Sequence, residues 1–154
     1  MKNNLHALFD PENIAIIGAS SNPMKAGYII LSNLIRIGYP KKVFPVSVNE
    51  ESILDFPCYK KLSEVEDTVE LVVLITPSEL IYDIMKDLEL RMAAKNDVKV
   101  IVCAAANYGE TRTEEGRRRQ ACLIDTARKY GIRVLGPNCI GVIDNINRVD
   151  TTFV

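Results

Sequence analysis

Short runs of apolar residues alternate along the chain with longer stretches in which apolar residues recur every three or four positions. The short runs predict five strands, at residues 13–19, 42–46, 71–75, 98–103 and 132–135. The longer stretches predict helices at 27–37, 78–95 and 113–130. Ser78 and Thr113 are predicted N-terminal caps, and Gly38 and Gly131 are predicted to end the first and third of these helices.

The predicted strands are apolar along most of their length, which is typical of strands buried on both faces. The order of elements therefore predicts an α/β fold, a Rossmann-like doubly wound parallel sheet of about five strands with helices on both faces. Residues 48–67 are expected to form a loop with a short helical turn at 62–65. We expect one domain over 1–144, followed by a connector at 145–154 towards a second domain that the chain does not contain.

Composition and charge exclude several classes of protein. The 154 residues are 47% hydrophobic and 25% charged, as in folded globular domains. The net charge of −1 provides no basic surface for nucleic acid. Apolar runs are too short for a membrane span, and the first nine residues do not resemble a secretory signal. We therefore expect a cytoplasmic protein with no nucleic-acid or membrane partner.

The cysteines and the histidine do not predict a metal site or a catalytic site. Cys58, Cys103, Cys122 and Cys139 are far apart and form no close ligand pair, so we expect reduced thiols and no metal site. The one histidine, His6, lies in a polar N-terminal arm and is expected to be a surface residue. No catalytic residue is predicted.

The candidate site lies where the predicted strands end. Open α/β sheets bind ligands at the carboxyl ends of their strands. A loop of small and polar residues joins the first strand to a helix N terminus, a combination that favours a phosphate or pyrophosphate. Small or polar residues also follow the third, fourth and fifth strands, and these loops together predict a cleft for an extended ligand.

The dinucleotide fingerprint G-x-G-x-x-G does not fit the first loop. Aligned on Gly18, it needs glycine where Ser20 and Pro23 stand. The acidic residue expected directly after the second strand is also missing. An NAD(H)-binding regulatory domain is therefore the weaker of the two ligand hypotheses.

Five segments resemble, in order and spacing, the N-terminal CoA-binding domain of the NDP-forming acyl-CoA synthetases. This family includes the ADP-forming acetate–CoA ligases and is related to the succinyl-CoA synthetase α subunit. The segments are IIGAS at 16–20, FPV at 44–46, ITPSE at 75–79, NYGET at 107–111 and LGPNCIG at 135–141. The resemblance implies CoA or acyl-CoA as ligand and further synthetase domains or subunits as partners. It also implies that the whole enzyme interconverts acyl-CoA, ADP and phosphate with acid, ATP and CoA.

The resemblance further implies which residues contact CoA. The nucleotide and phosphates would lie against the first loop, and the pantetheine arm would run along the fourth strand end towards Asn138. The implied residues are Gly18, Ala19, Ser20, Ser21, Asn22, Pro23, Lys25, Gly27, Ser47, Asn49, Thr76, Pro77, Ser78, Ala105, Ala106, Asn107 and Asn138.

Two positions depart from the family pattern. Asn49 stands where the family typically has a phosphate-binding lysine, and Lys25, Lys41 or Lys42 are the candidate replacements. Residues 105–108 read AANY instead of S-A-G-F, which narrows the expected pantetheine channel.

The resemblance places the phosphate-carrying histidine of the family in another domain, so this chain alone is expected not to be catalytic. Two other hypotheses keep CoA as the ligand. One is a free-standing CoA-binding or sensing module, and the other is the same domain fused to a protein acetyltransferase.

Overall fold

The computed structural model describes residues 4–154, so Met1–Asn3, at the start of the predicted domain, lie outside the described residues. In chain order its elements are α1 (His6–Phe9), β1 (Ile14–Ile17), α2 (Ala26–Ile37), β2 (Val43–Val46), β3 (Ser52–Ile53), β4 (Phe56–Pro57), β5 (Leu71–Leu74), α3 (Ile81–Ala94), β6 (Val100–Cys103), α4 (Glu114–Lys129), β7 (Arg133–Leu135), β8 (Ile143–Asp144) and β9 (Val149–Asp150). Short 3₁₀ turns lie at Leu62–Glu64, Ser78–Leu80 and Gly109–Thr111.

The main sheet has five strands in the order β2–β1–β5–β6–β7, and every neighbouring pair is parallel. The strand order reverses between β1 and β5. In open α/β sheets this reversal opens a crevice at the carboxyl ends of the strands, where ligands bind. The predicted Rossmann-like parallel sheet is confirmed.

Apolar side chains cover both faces of this sheet because successive residues of a strand point to opposite sides. On one face, Ile17 and Leu74 pack with α3 and α4. On the other, Ile16 and Val73 pack with α2 and α1. The helices therefore lie on both faces, as predicted, and the polar loops at the carboxyl ends of the strands are left to form a site.

Most predicted helix boundaries are confirmed. The Thr113 hydroxyl accepts a hydrogen bond from the Gly116 amide at 3.0 Å and caps α4. Gly38 and Gly131 have φ angles of 73° and 68° at the ends of α2 and α4. The prediction for Ser78 is wrong, because a 3₁₀ turn precedes α3 and the Ser78 hydroxyl accepts a hydrogen bond from Arg119 instead of capping a helix.

Two small antiparallel hairpins were not predicted. β3 pairs with β4 inside the stretch expected to be a loop, and β8 pairs with β9 near the C terminus. Val149 and Thr151 are fully buried, and the Asn33 side chain on α2 donates to the Thr152 carbonyl at 2.8 Å. The expected boundary at residue 144 thus falls inside a hairpin that packs on the domain. Whether the chain leads into a further domain stays a prediction.

The remaining expectations concern the thiols, the histidine and the membrane. Cys58, Cys103, Cys122 and Cys139 are free cysteines, and His6 is exposed on α1. Within residues 4–154, no three histidine, cysteine or acidic side chains are grouped as metal ligands. In the same part of the chain, every helix is too short or too polar to cross a membrane.

Candidate ligand-binding cleft

The turn between β1 and α2 is shaped by two glycines. Gly18 has a φ angle of +100°, and a Cβ atom there would lie 2.6 Å from the carbonyl oxygen of Ile75, at the end of β5. A Cβ atom on Gly27 would overlap the carbonyl oxygen of Gly18. The first turn of α2 therefore packs directly on the end of β1. The close approach that Gly27 permits is one between two parts of the chain itself.

A cavity of about 750 Å³ opens at the carboxyl edge of the sheet, between β1 and β5. This volume lies in the range of cofactor-binding pockets. The lining includes many residues that the sequence predicted for the ligand: Gly18, Ala19, Ser20, Lys25, Gly27, Ser47, Asn49, Thr76 and Pro77. The structure thus brings the loops after β1, β2 and β5 together around one space.

The N terminus of α2 faces this cavity with unused hydrogen-bond donors. Lys25, Ala26 and Gly27 line the cavity. Within residues 4–154, the amides of Ala26 and Gly27 and the Lys25 ammonium have no hydrogen-bond acceptor. Free amides at the positive end of a helix dipole, with a lysine beside them, form an anion-binding arrangement.

Glu50 joins the loop after β2 to the loop after β1. Its carboxylate accepts hydrogen bonds from the Ser21 hydroxyl at 2.7 Å and the Ser21 amide at 3.0 Å. These bonds hold the pKa of Glu50 below its ordinary value. Both hydrogen bonds from Ser21 go to the same oxygen of the Glu50 carboxylate. In a dinucleotide site, by contrast, the acidic residue binds the ribose of the ligand.

Part of the cavity wall was not predicted from the sequence. Lys60, Lys61 and Leu62 line it, although they lie in the stretch predicted as a loop. Tyr59 forms a parallel bridge with Val46, so this segment extends the edge of the sheet beside β2. One bridging residue within a polar stretch gives no strand periodicity, and the sequence therefore carried no usable signal for it.

The proposed replacement of the missing lysine by Lys41 or Lys42 is wrong. Both residues precede β2, at the amino edge of the sheet, and the cavity lies at the carboxyl edge. The Lys41 ammonium pairs with Asp10 at 2.9 Å, and the Lys42 ammonium with Asp67 at 2.8 Å. Of the three candidates, Lys25 alone lines the cavity.

Residues 12–145 match the family model described as a CoA binding domain. The chain belongs to this CoA-binding domain family. The α subunit of the ADP-forming acetate–CoA ligase I of Pyrococcus furiosus is 36% identical over 97% of this chain. An ADP-forming 4-hydroxybutyrate–CoA ligase of Nitrosopumilus maritimus is 30% identical over 96% of this chain. The chain spans 32% of the first relative's length and 20% of the second's.

Solved structures also match the chain. The dinucleotide-forming acetyl-coenzyme A synthetase 1 of Ca. Korarchaeum cryptofilum, in complex with phosphate and ADP, matches with a TM-score of 0.86 and 33% identity. The match covers 98% of this chain and 31% of that one. A conserved hypothetical protein from Pyrococcus furiosus matches with a TM-score of 0.56 and 28% identity, over 80% of this chain and 90% of its own.

The other predicted contact residues of this CoA-binding domain lie outside the cavity lining. Ser21, Asn22 and Pro23 belong to the exposed part of the loop after β1. Ser78 is buried at the start of the 3₁₀ turn that follows β5. The residues expected along the pantetheine arm sit at the ends of β6 and β7: Ala105, Ala106, Asn107 and Asn138. Their contacts with a ligand stay predictions.

Arg119 connects two of these outlying positions and was not among the site residues predicted from the sequence. Its guanidinium donates to the Ser78 hydroxyl at 3.0 Å and to the Asn107 carbonyl at 3.3 Å. The Asn138 amide in turn donates to the Ala105 carbonyl at 2.9 Å. Arg119 therefore joins the loops after β5 and β6 to α4, and the hydrogen bond of Asn138 joins the loop after β7 to the loop after β6.

The thiols near these loops are not activated. Burial raises the pKa of Cys103 to about 11, beside the buried ring of Tyr108. Burial also raises the pKa of Cys139, whose thiol donates to the Cys103 carbonyl at 3.3 Å. A reactive cysteine needs a lowered pKa, so neither thiol is prepared to act as a nucleophile.

Proposed function

We propose that this chain binds CoA or acyl-CoA in the cavity between β1 and β5. One observation carries the proposal: in a chain that belongs to the CoA-binding domain family, the cavity opens beside an unpaired lysine and unbonded helix amides. A ligand with phosphate groups matches that arrangement better than a neutral one does.

We assign the phosphates, the nucleotide and the pantetheine arm of CoA to different sides of the cavity. The phosphates lie against Lys25 and the first amides of α2. The nucleotide extends over Ser47 and Asn49, with Thr76 and Pro77 on the β5 side. The pantetheine arm runs towards the ends of β6 and β7, where Asn138 is hydrogen-bonded to the chain.

In the whole protein, this domain is proposed to serve an ADP-forming acyl-CoA synthetase whose other domains or subunits carry the phosphoryl transfer. The matched relatives bear that activity in their names, and the chain spans about a third of the first one's length. No turnover is assigned to this chain alone, because His6 lies before β1, at the sheet edge opposite the cavity. Such an enzyme would work in the cytoplasm.

A free-standing CoA-binding module is the second candidate. The matched hypothetical protein from Pyrococcus furiosus is covered over 90% of its own chain, so a protein of nearly this size carries a similar fold. The coding sequence on either side of these 154 residues separates the two candidates.

Replacing Lys25 with alanine tests the placement of the phosphates. We expect CoA binding to weaken by roughly 1–3 kcal/mol, because a charge-assisted hydrogen bond is lost. Isothermal titration calorimetry measures the change. Lys99→Ala, just before β6 at the opposite edge of the sheet, is the matched control and should bind like the wild type. Unchanged affinity in Lys25→Ala would show that Lys25 does not contact the ligand.

A further inference from the structure

We infer that Lys61 binds a phosphate group of the ligand from the side of the cavity opposite Lys25. The inference rests on the proposed function, since it takes a CoA-type ligand as the occupant. Lys25 stands at the start of α2, which packs on one face of the sheet. Lys61 precedes Leu62, which packs with α3 on the other face. Both lysines line the same cavity at the sheet edge between these faces.

The backbone that carries Lys61 is fixed on its N-terminal side. The Tyr59 amide donates to the Pro45 carbonyl at 3.0 Å, and the Ser47 amide donates to the Tyr59 carbonyl at 2.9 Å. These bonds continue the pattern of the sheet beyond the end of β2. Residue 59 therefore has a defined position relative to the floor of the cavity.

The backbone is also fixed on its C-terminal side, by a buried arginine. The Arg91 guanidinium on α3 donates to the Leu62 carbonyl at 3.0 Å and to the Val65 carbonyl at 2.8 Å. The Ser63 amide and hydroxyl both donate to the Asp87 carboxylate, also on α3. Lys61 thus extends from a short segment held at both ends, which lowers the entropy cost of placing its ammonium at a ligand.

The charges around the cavity leave Lys61 available. The carboxylates in the wall have partners of their own, because Glu50 is bound by Ser21, Asp87 by Ser63, and Asp83 lies 3.8 Å from the Lys86 ammonium.

The third lysine of the wall, Lys60, is already engaged, since its ammonium donates to the Glu50 carbonyl at 2.8 Å. Among residues 4–154, the Lys61 ammonium has neither an ion pair nor a hydrogen bond, whereas Lys60 has both. Lys25 has none either in this range, although its charge helps to lower the pKa of Glu50. Two unpaired cations on opposite sides of one cavity suit a ligand that carries more than one phosphate group.

Calorimetric titration of the 154-residue chain with CoA and with dephospho-CoA tests the inference. We expect Lys61→Ala to weaken CoA binding about tenfold, as loss of a charge-assisted contact does. Lys61→Arg should restore most of the affinity because it keeps the charge. The matched control, Lys99→Ala, removes the same charge at the opposite sheet edge and should leave affinity within about twofold of the wild type. An unchanged thermal midpoint for Lys61→Ala would exclude loss of folding.

The two ligands separate the two phosphate sources. A loss with CoA but not with dephospho-CoA supports contact with the ribose phosphate, and an equal loss with both supports contact with the pyrophosphate. If the wild type binds CoA and Lys61→Ala binds each ligand as tightly as the wild type does, the inference about Lys61 is overturned while the proposed function stands. If the wild type does not bind CoA, the proposed function fails and the inference fails with it.

Discussion

Gly27 sets how closely α2 approaches the end of β1. Its place in the first turn of the helix leaves room for the Gly18 carbonyl oxygen and nothing larger. The free amides of this helix turn face the cavity only because the helix lies so near the strand. A residue that contributes no side chain therefore determines the geometry of the proposed phosphate site.

Gly27→Ala should damage both stability and binding. The added methyl group must push α2 away from β1, an overpacking that costs roughly 1–3 kcal/mol, and CoA binding should be lost. Urea denaturation and calorimetry measure the two effects.

Gly131→Ala is the matched control, since its Cβ atom meets nothing within 4 Å and only the φ angle of 68° opposes the substitution. It should cost about 1 kcal/mol and leave CoA binding unchanged. Normal CoA binding by Gly27→Ala would contradict the account of this turn.

Single residues were predicted well where the sequence pattern implies a backbone feature. Gly18 and Lys25 follow a clear strand and precede a clear helix, so their place at the strand end was predictable. Lys60 and Lys61 were missed because their position depends on the bridge between Tyr59 and Val46, a contact between distant parts of the chain. Asn49 lines the cavity as expected, although the family's lysine is absent from that position.

At the scale of elements, the segment after β4 depends on a buried arginine. The Arg91 side chain is fully buried, forms an ion pair with Asp97, and donates to the carbonyls of Leu62, Val65 and Asp67. It joins α3 to a stretch that has only a 3₁₀ turn of its own. The sequence predicted α3 and the turn, but an arginine inside a helical pattern gives no sign that it is buried.

Arg91→Met should lower the free energy of unfolding by about 3–5 kcal/mol, because it leaves a buried carboxylate and several carbonyls without their partner. Arg118→Met removes an exposed arginine that pairs with Glu114 on α4, and should change stability by less than about 0.5 kcal/mol. Chemical denaturation of both variants gives the comparison. Equal stabilities for the two would mean that Arg91 does not hold this segment.

At the scale of the whole molecule, the C-terminal residues complete the face of the sheet that α2 covers. Val149 belongs to the same buried cluster as Ile30 and Leu34 of α2. A Cβ atom at Gly141 would overlap the Thr151 carbonyl, so the loop after β7 also packs against this tail. The sequence suggested a connector here because the stretch is mostly polar, and a two-residue strand is too short to show alternation.

Deleting residues 149–154 should cost about 3 kcal/mol, since the packing of a buried valine and several hydrogen bonds are lost. Deleting Val154 alone, which is 84% exposed, should have little effect. The urea midpoints of the two truncated proteins check this. A chain ending at residue 148 that is as stable as the full one would show that the tail is only a connector.

The parallel sheet, the helices α2, α3 and α4, and the location of the cleft were predictable because hydrophobic periodicity and loop position are local properties of the sequence. The two hairpins and the lysines beside β2 were not, because they depend on contacts between segments far apart in the chain.

The ligand of the cavity is the central claim, and calorimetric titration of the 154-residue chain with CoA and with NAD tests it most directly. We expect CoA to bind at least about tenfold more tightly than NAD, a difference of roughly 1.4 kcal/mol. We expect this because the chain matches the CoA-binding domain family, Ser20 replaces a fingerprint glycine, and the Glu50 carboxylate is already bound by Ser21. Binding of NAD with no detectable binding of CoA would contradict it.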